Sequence, residues 1–397
     1  MQFVFPELLL SRYMRNVWLL GMTSLLTDVS SEMILPILPF FIEALGGKGL
    51  AIGLAAGLGE AAASFFKLFS GWLAERTRKK GLVFTGYGLS SVAKLFMGMA
   101  SNWGAVVTFR TVDRIGKGIR TSPRDALIAE SVTARGRGFG LHRALDTAGA
   151  IIGSIIVLTY LYYTVPQLAN YKVVIFVAAI IGFTALIPLI WVREKRITHE
   201  PISFKRLPLS PEFKAFLIIT TLFAFGNVNY MFFLLKLAKG LELTVTAERA
   251  ILITLAFYIL FNIIYTAFAY PIGKWSDRIG KHPVVITAFG LYFLIAIGFA
   301  TLDGYWLLVP FMFYGLFFAL LEGTQRAWGA DIMKRHYGMQ FGIFHFLTGM
   351  ATLIGGLIAG VLWDVNPNYT FYFGASISLL TLAVVALIRH SLTKSST

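Results

Sequence analysis

Twelve stretches of the chain come near or exceed the ~20 apolar residues that carry a helix across a bilayer. They fall at 17–43, 50–74, 82–101, 104–131, 139–163, 172–192, 214–237, 250–273, 283–301, 306–331, 341–362 and 370–389. The pattern predicts an all-α membrane protein of twelve transmembrane helices, because in lipid every backbone N–H and C=O must be satisfied within its own helix. Met1–Asn16 holds Arg12 and Arg15, and the apolar run behind it is too long for a cleavable signal, so that run is read as the first membrane helix. Pro36 and Pro39 predict a kink near its outer end.

The pattern is also written twice. GWLAERTRKK at Gly71–Lys80 and GKWSDRIGKH at Gly273–His282 stand 202 residues apart. The same offset joins Arg124 to Arg326, Phe139–Gly140 to Phe341–Gly342, and Gly153 to Gly355. A spacing held at several positions predicts a duplicated six-helix unit, with residues 1–192 as an N-terminal bundle and 214–397 as a C-terminal bundle. Residues 193–213, rich in charge and proline, read as the cytoplasmic linker. Two related bundles about a pseudo-symmetry axis are the mechanical basis of alternating access.

Composition supports this reading and removes others. Charged residues make up 14% of the chain, where a soluble protein has about 25%. A net charge of +15 suggests a polyanionic partner until its distribution is counted. With both termini placed in the cytoplasm, 21 Lys or Arg fall on cytoplasmic segments and 5 outside. That skew is the positive-inside pattern of a multi-pass protein, here of the cell membrane, and it leaves no need for nucleic acid. Cysteine is absent, which excludes disulfides and thiolate metal sites. No metal cluster and no cofactor is expected; the expected partners are the lipid bilayer, a small-molecule or ion substrate, and protons, with a monomer as the working form.

The repeated motif resembles the loop 2–3 signature of the major facilitator superfamily, G-x-x-x-D-R-x-G-R-K, and the likeness covers the whole chain. The second copy fits with Gly273, Asp277, Arg278, Gly280 and Lys281. The first keeps Gly71, Arg76, Lys79 and Lys80 but has Glu75 for the Asp and Arg78 for the second Gly. Arg114 and Gly118 match the family's fourth-helix pattern, and Glu130 matches the acid that ends that helix. The resemblance is to the drug-and-proton antiporter branch, more narrowly to a prokaryotic subgroup marked by LTDVSSEM, DRIGKGIRTSPRDALIAE and HRALDTAGA. Gly149-x-x-x-Gly153 stands where antiporters of the family carry a Gly-Pro signature, but without the Pro. What the resemblance implies for the loops is a cytoplasmic gate of Gly71, Glu75, Arg76, Lys79, Glu130, Gly273, Asp277, Arg278, Gly280 and Lys281. There Glu75 or Asp277 sits against a helix N-terminus, where the macrodipole favours negative charge, and Arg76 pairs with Glu130. A basic loop that serves topology alone is the competing reading.

Sixteen Asp, Glu, Lys and Arg residues fall at membrane depth, fourteen of them in the N-terminal half. At ~3 kcal/mol each, exposing them all to lipid would cost on the order of 50 kcal/mol, so they must face one another or water. Asp28 and Glu32 share one face of the first helix, and Arg114, Lys117, Arg120 and Arg124 form a basic stripe on the fourth, with Asp113 inside it. His142, Asp146, Gly149 and Gly153 share a face of the fifth, with Arg143 adjacent. The family resemblance implies that these three helices line the cavity. Asp28, Glu32 and Arg114 are therefore read as proton-coupling residues, against a structural salt-bridge network as the alternative. Lys117, Arg120, Arg124, Asp113, His142, Arg143 and Asp146 are read as substrate-cavity residues, joined from the second half by Asn227, Asn229 and Glu322. A packing pair of Asp146 with Arg143 is an equal alternative. The expected function is proton-coupled export of a small solute that is drug-like, an organic anion or a metal. An importer or facilitator and a lipid-moving protein are the alternatives. No HExxH motif or nucleophile elbow points to an enzyme.

Overall fold

In the computed structural model, residues 12–74, 76–131, 135–194, 210–332 and 337–394 are described, and every regular element among them is helical. The first predicted helix is α1 (Arg12–Ile34) followed by α2 (Leu38–Ala44), bent by 41° across the Pro36 segment as its prolines predict. Next come α3 (Gly49–Ala74), α4 (Lys79–Gly98), α5 (Trp103–Ser131), α6 (Arg135–Thr164), α7 (Leu168–Thr184) and the short α8 (Ile187–Ile190). Beyond the linker lie α9 (Pro211–Gly226), α10 (Tyr230–Leu241), α11 (Ala247–Ile279) and α12 (Lys281–Thr301). A 3-10 turn then leads into α13 (Leu308–Ile332), followed by α14 (Tyr337–Val365) and α15 (Pro367–Lys394).

Among the described residues nine helices are long and apolar enough to cross a membrane, or ten when α1 and α2 count as one bent span. The other two predicted stretches form α4 and α5, which have the length to span, with 20 and 29 residues. They are the more polar stretches, and α5 alone carries eight ionisable residues.

The seventh predicted helix, 214–237, is in fact broken at Asn227–Asn229 into α9 and α10. Asn229 caps α10, its side-chain oxygen accepting from the Met231 N–H at 3.1 Å. The freed backbone groups go to one phenol: Tyr292 Oη accepts from the Val228 N–H at 2.8 Å and donates to the Gly226 carbonyl at 3.1 Å. A gap in a membrane helix persists only where protein supplies such partners.

The chain divides into two compact units, Met1–Ile37 with Ala62–Phe204, and Leu38–Ala61 with Lys205–Thr397. In the first, α1 packs on α6 and α7, and α4 on α5 and α7. In the second, α13 packs on α11 and α12, and α15 on α9 and α12. An aromatic cluster fills that unit: Phe233 stacks on Tyr314 at 4.4 Å between centroids, and Phe223 on Phe289 at 4.2 Å. The second unit also holds α2 and the start of α3, where Gly49 and Gly53 meet Gly360 and Gly356 of α14. A Cβ at Gly49 would lie 2.6 Å from the Gly360 carbonyl oxygen, so only glycine permits this approach. Asp364 completes the contact, accepting from the Gly49 and Leu50 N–H groups at 2.7 and 3.0 Å.

Candidate transport site

The charge of the first unit is sorted by the period of α5. Asp113, Gly116 and Arg120 point toward α4, where a Cβ at Gly116 would lie 2.6 Å from the Gly86 carbonyl oxygen. On that face Arg110 pairs with Asp113 at 2.8 Å, and Arg120 donates to Ser90 Oγ at 2.6 Å with its guanidinium 4.5 Å over the Tyr87 ring. All three charged groups are buried. Lys94 of α4 is 2% exposed and donates to Ser30 and Ser31 of α1 at 2.8 and 2.9 Å. This network ties α1, α4 and α5 together. The basic stripe expected on one face of α5 is thus split, with Arg120 and Asp113 turned to a helix interface.

The other face, Lys117 and Arg124, meets α1 and α6. Asp28 and Asp146 bring their carboxyl groups side by side within hydrogen-bonding reach, with Lys117 and Glu32 near Asp28. Ser24, Arg124 and His142 surround Asp146. Arg124 donates to Ser24 Oγ at 3.2 Å and pairs with Asp125 at 2.9 Å. His142 Nδ1 and Arg143 Nη1 stand 3.9 and 4.0 Å from Asp146 Oδ2. Two buried atoms here, His142 Nε2 and Asp146 Oδ1, have no hydrogen-bond partner among the described residues. Lys117 of this cluster is itself exposed.

Glycine on α6 sets this geometry. A Cβ at Gly149 would lie 2.5 Å from the Leu25 carbonyl oxygen and 3.1 Å from Asp28 Cβ, and one at Gly153 would lie 3.1 Å from Glu32 Cβ. The Gly-x-x-x-Gly pair therefore seats on the stretch of α1 that carries both acids. Sequence spacing placed Asp28 with Glu32; the tertiary contact adds Asp146, whose distance from Asp28 along the chain hides it.

Other expected site residues stand apart. Asn227 and Asn229 occupy the break between α9 and α10, with Asn227 Oδ1 buried and without a hydrogen-bond partner among the described residues. Glu322 of α13 accepts from Tyr265 of α11 and from Arg326. Arg114 is half-buried on α5 and engaged.

Of the gate residues, Glu75 lies outside the described residues. Glu130 is met by Lys79, not by Arg76 as expected. Lys79 opens α4 beside the end of α5, whereas the Arg76 guanidinium rests 4.0 Å over the Trp72 ring, a contact that holds it away. The carboxylate at the α4 N-terminus is Glu194, accepting from the Lys79 and Lys80 N–H groups at 2.8 and 3.3 Å, a role that spacing gave no sign of. Lys281 bridges Asp331 at 2.7 Å and Asp277 at 3.5 Å, following Arg278 and the turn at Gly280, whose φ of +94° calls for glycine. Gly273 faces open space and a Cβ at Gly71 would make ordinary contact with Ser122, so neither glycine is required sterically here.

Membrane-spanning helices throughout, a motif duplicated across the halves and a charged cluster inside a helical unit define a polytopic transport protein. The chain belongs to the Major Facilitator Superfamily, which it matches over residues 20–333 and again over 216–396. It is 39% identical over 377 residues to the uncharacterized MFS-type transporter MJ1317 of Methanocaldococcus jannaschii, covering 92% of this chain and 93% of that one. It is 22% identical to the quinolone resistance protein NorA of Staphylococcus aureus over 94% of this chain and 96% of that one. Among solved structures its fold resembles the nucleoside transporter NupG, with TM-score 0.75 at 15% identity, over 94% of this chain and 99% of that one.

Proposed function

We propose that the protein exports a small organic solute in exchange for protons, by alternating access of two six-helix halves in the cell membrane, with both termini cytoplasmic. The observation that carries the proton assignment is the contact of Asp28 with Asp146. Two carboxyl groups this close hydrogen-bond to each other by sharing a proton, and a cation brought near them releases it. Lys117 and Arg124 stand at the pair as that cation, and Glu32 and Arg114 extend the cluster along α1 and α5. Solute that drives Lys117 or Arg124 against the pair expels the proton, and protonation of the pair in turn lets the cations and the solute go, so proton and solute bind in alternation. Export is supported by the resistance relatives, the quinolone resistance protein among them.

Proteoliposomes carrying an internal pH dye test this. Addition of a quinolone should drive proton movement in the wild type, while Asp28→Asn and Asp146→Asn should lose it and keep solute counterflow. Proton movement at the wild-type rate in both variants would remove these carboxyls from coupling.

A further inference from the structure

A proton held between Asp28 and Asp146 needs a way to water, and the pair lies deep. At 1.5 Å per residue, Asp146 is about 16 Å from the Arg135 end of α6 and about 27 Å from its Thr164 end. The shorter way out passes His142, one turn nearer Arg135 on the same face of the helix. The residue is 4% exposed, and its Nδ1 stands 3.9 Å from Asp146 Oδ2, a gap that one water or a small rotation of the ring closes. The other nitrogen, Nε2, is buried and has no hydrogen-bond partner among the described residues. The great majority of buried polar atoms are paired, so an open one beside a titrating pair calls for a role.

The other neighbours of Asp146 cannot move its proton to water. Arg124 and Arg143 keep their charge at every working pH, and the Ser24 hydroxyl neither gains nor loses one. Imidazole takes a proton on one nitrogen and gives one from the other near neutral pH. We propose that His142 relays protons between the Asp28–Asp146 pair and water at the Arg135 end of α6.

In release, the carboxyl O–H of Asp146 passes its proton to Nδ1, which leaves a carboxylate and an imidazolium. Nε2–H then gives its proton to water, and the ring is left neutral with the transferred proton on Nδ1. Exchange of that proton through water restores the starting tautomer, and uptake runs the same steps in reverse. Because Nε2 is buried here, the last transfer waits until water reaches the ring, which keeps protons from leaking past the pair. The charged groups around the ring are Arg124 and Asp125 from α5, and Arg143 and Asp146 from α6 itself. Further along the packed helices, α1 brings Asp28 and Glu32 on the Asp146 side and Arg15 near its start, α5 brings Lys117, and α7 brings Lys172 at the Thr164 end. This inference rests on the Asp28–Asp146 reading of the proposed function, but not on the solute or on the direction of transport.

The test follows the carboxyl C=O infrared band of the purified protein in nanodiscs after a flash releases protons from a caged acid. The band belongs to the pair if it is lost in Asp28→Asn and Asp146→Asn. His142→Gln should slow its rise on the order of a hundredfold and still reach the wild-type amplitude. In His142→Ala, added imidazole should restore the rate, while pyrazole, a ring of the same size but a far weaker base, should not. A histidine with a purely structural role would give no difference between the two rings. A wild-type rate in His142→Gln overturns the proposal, as does rescue of His142→Ala by both rings or by neither. His142→Gln keeps most of the side-chain bulk, so its rate decides the matter if the alanine variant fails to fold. A band that persists in both asparagine variants removes the pair, and the relay with it. A band lost in those variants, with His142→Gln unslowed, removes the relay alone.

Discussion

Tyr292 shows how much one polar atom settles in an apolar surround. Its ring lies in the aromatic cluster of the second unit, 5.3 Å from Phe223 and 5.1 Å from Phe317 between centroids, while its hydroxyl serves both sides of the α9–α10 break. Tyr292→Phe keeps the packing and leaves a buried N–H and a buried C=O unpaired. It should lower stability by about 1–3 kcal/mol, read as a lower melting midpoint in detergent. A midpoint unchanged from wild type would mean that water or another side chain serves the break. The acids tell a related story about legibility. Asp28 was readable as a candidate functional acid because an ionisable residue at membrane depth needs a reason to be there. Its partnership with Asp146 was not readable, since two residues on different helices share nothing in the sequence that aligns their faces. Glu194 and Tyr292 were missed for the same cause: each acts on backbone groups, which carry no residue-type signal.

At the scale of elements, helical period predicted which residues share a face, and it was right for α6, where His142, Asp146, Gly149 and Gly153 all turn to one side. On α5 the stripe was drawn too wide. Steps of three and four drift around the helix, and Gly116 against Gly86 turns Asp113 and Arg120 toward α4. Glycine decides approach at both seams, which makes the α1–α6 contact testable. Gly149→Val places two methyl groups against the Leu25 carbonyl and Asp28. It should cost about 1–3 kcal/mol of stability and lower proton-coupled flux, because Asp28 must shift. Gly81→Ala, at a glycine with nothing within 4 Å, should leave flux and melting midpoint as in the wild type. Equal behaviour of the two variants would remove α6 from the positioning of Asp28. The broken seventh helix was beyond periodicity, which reports an apolar face and not whether the backbone along it is continuous.

For the whole molecule, the charge skew predicts the membrane orientation, and the absence of cysteine makes that simple to check. Single cysteines at Thr244→Cys, in the turn between α10 and α11, and at Arg78→Cys, before α4, are both at exposed positions. An impermeant maleimide applied to intact cells should label the first and reach the second only after permeabilisation. The opposite pattern would invert the topology.

Length and hydropathy of the stretches determined an all-helical membrane chain, and the 202-residue offset determined that its halves are related. Both are properties of composition and order, which lipid reads directly through its intolerance of unpaired backbone. Only the tertiary structure decided that Asp28 meets Asp146, that Lys79 rather than Arg76 takes Glu130, and that residues 38–61 pack with the second unit. Those outcomes depend on how closely helix faces approach and how each is rotated, and they are set by glycine contacts and long side chains acting between residues 51 or more apart along the chain.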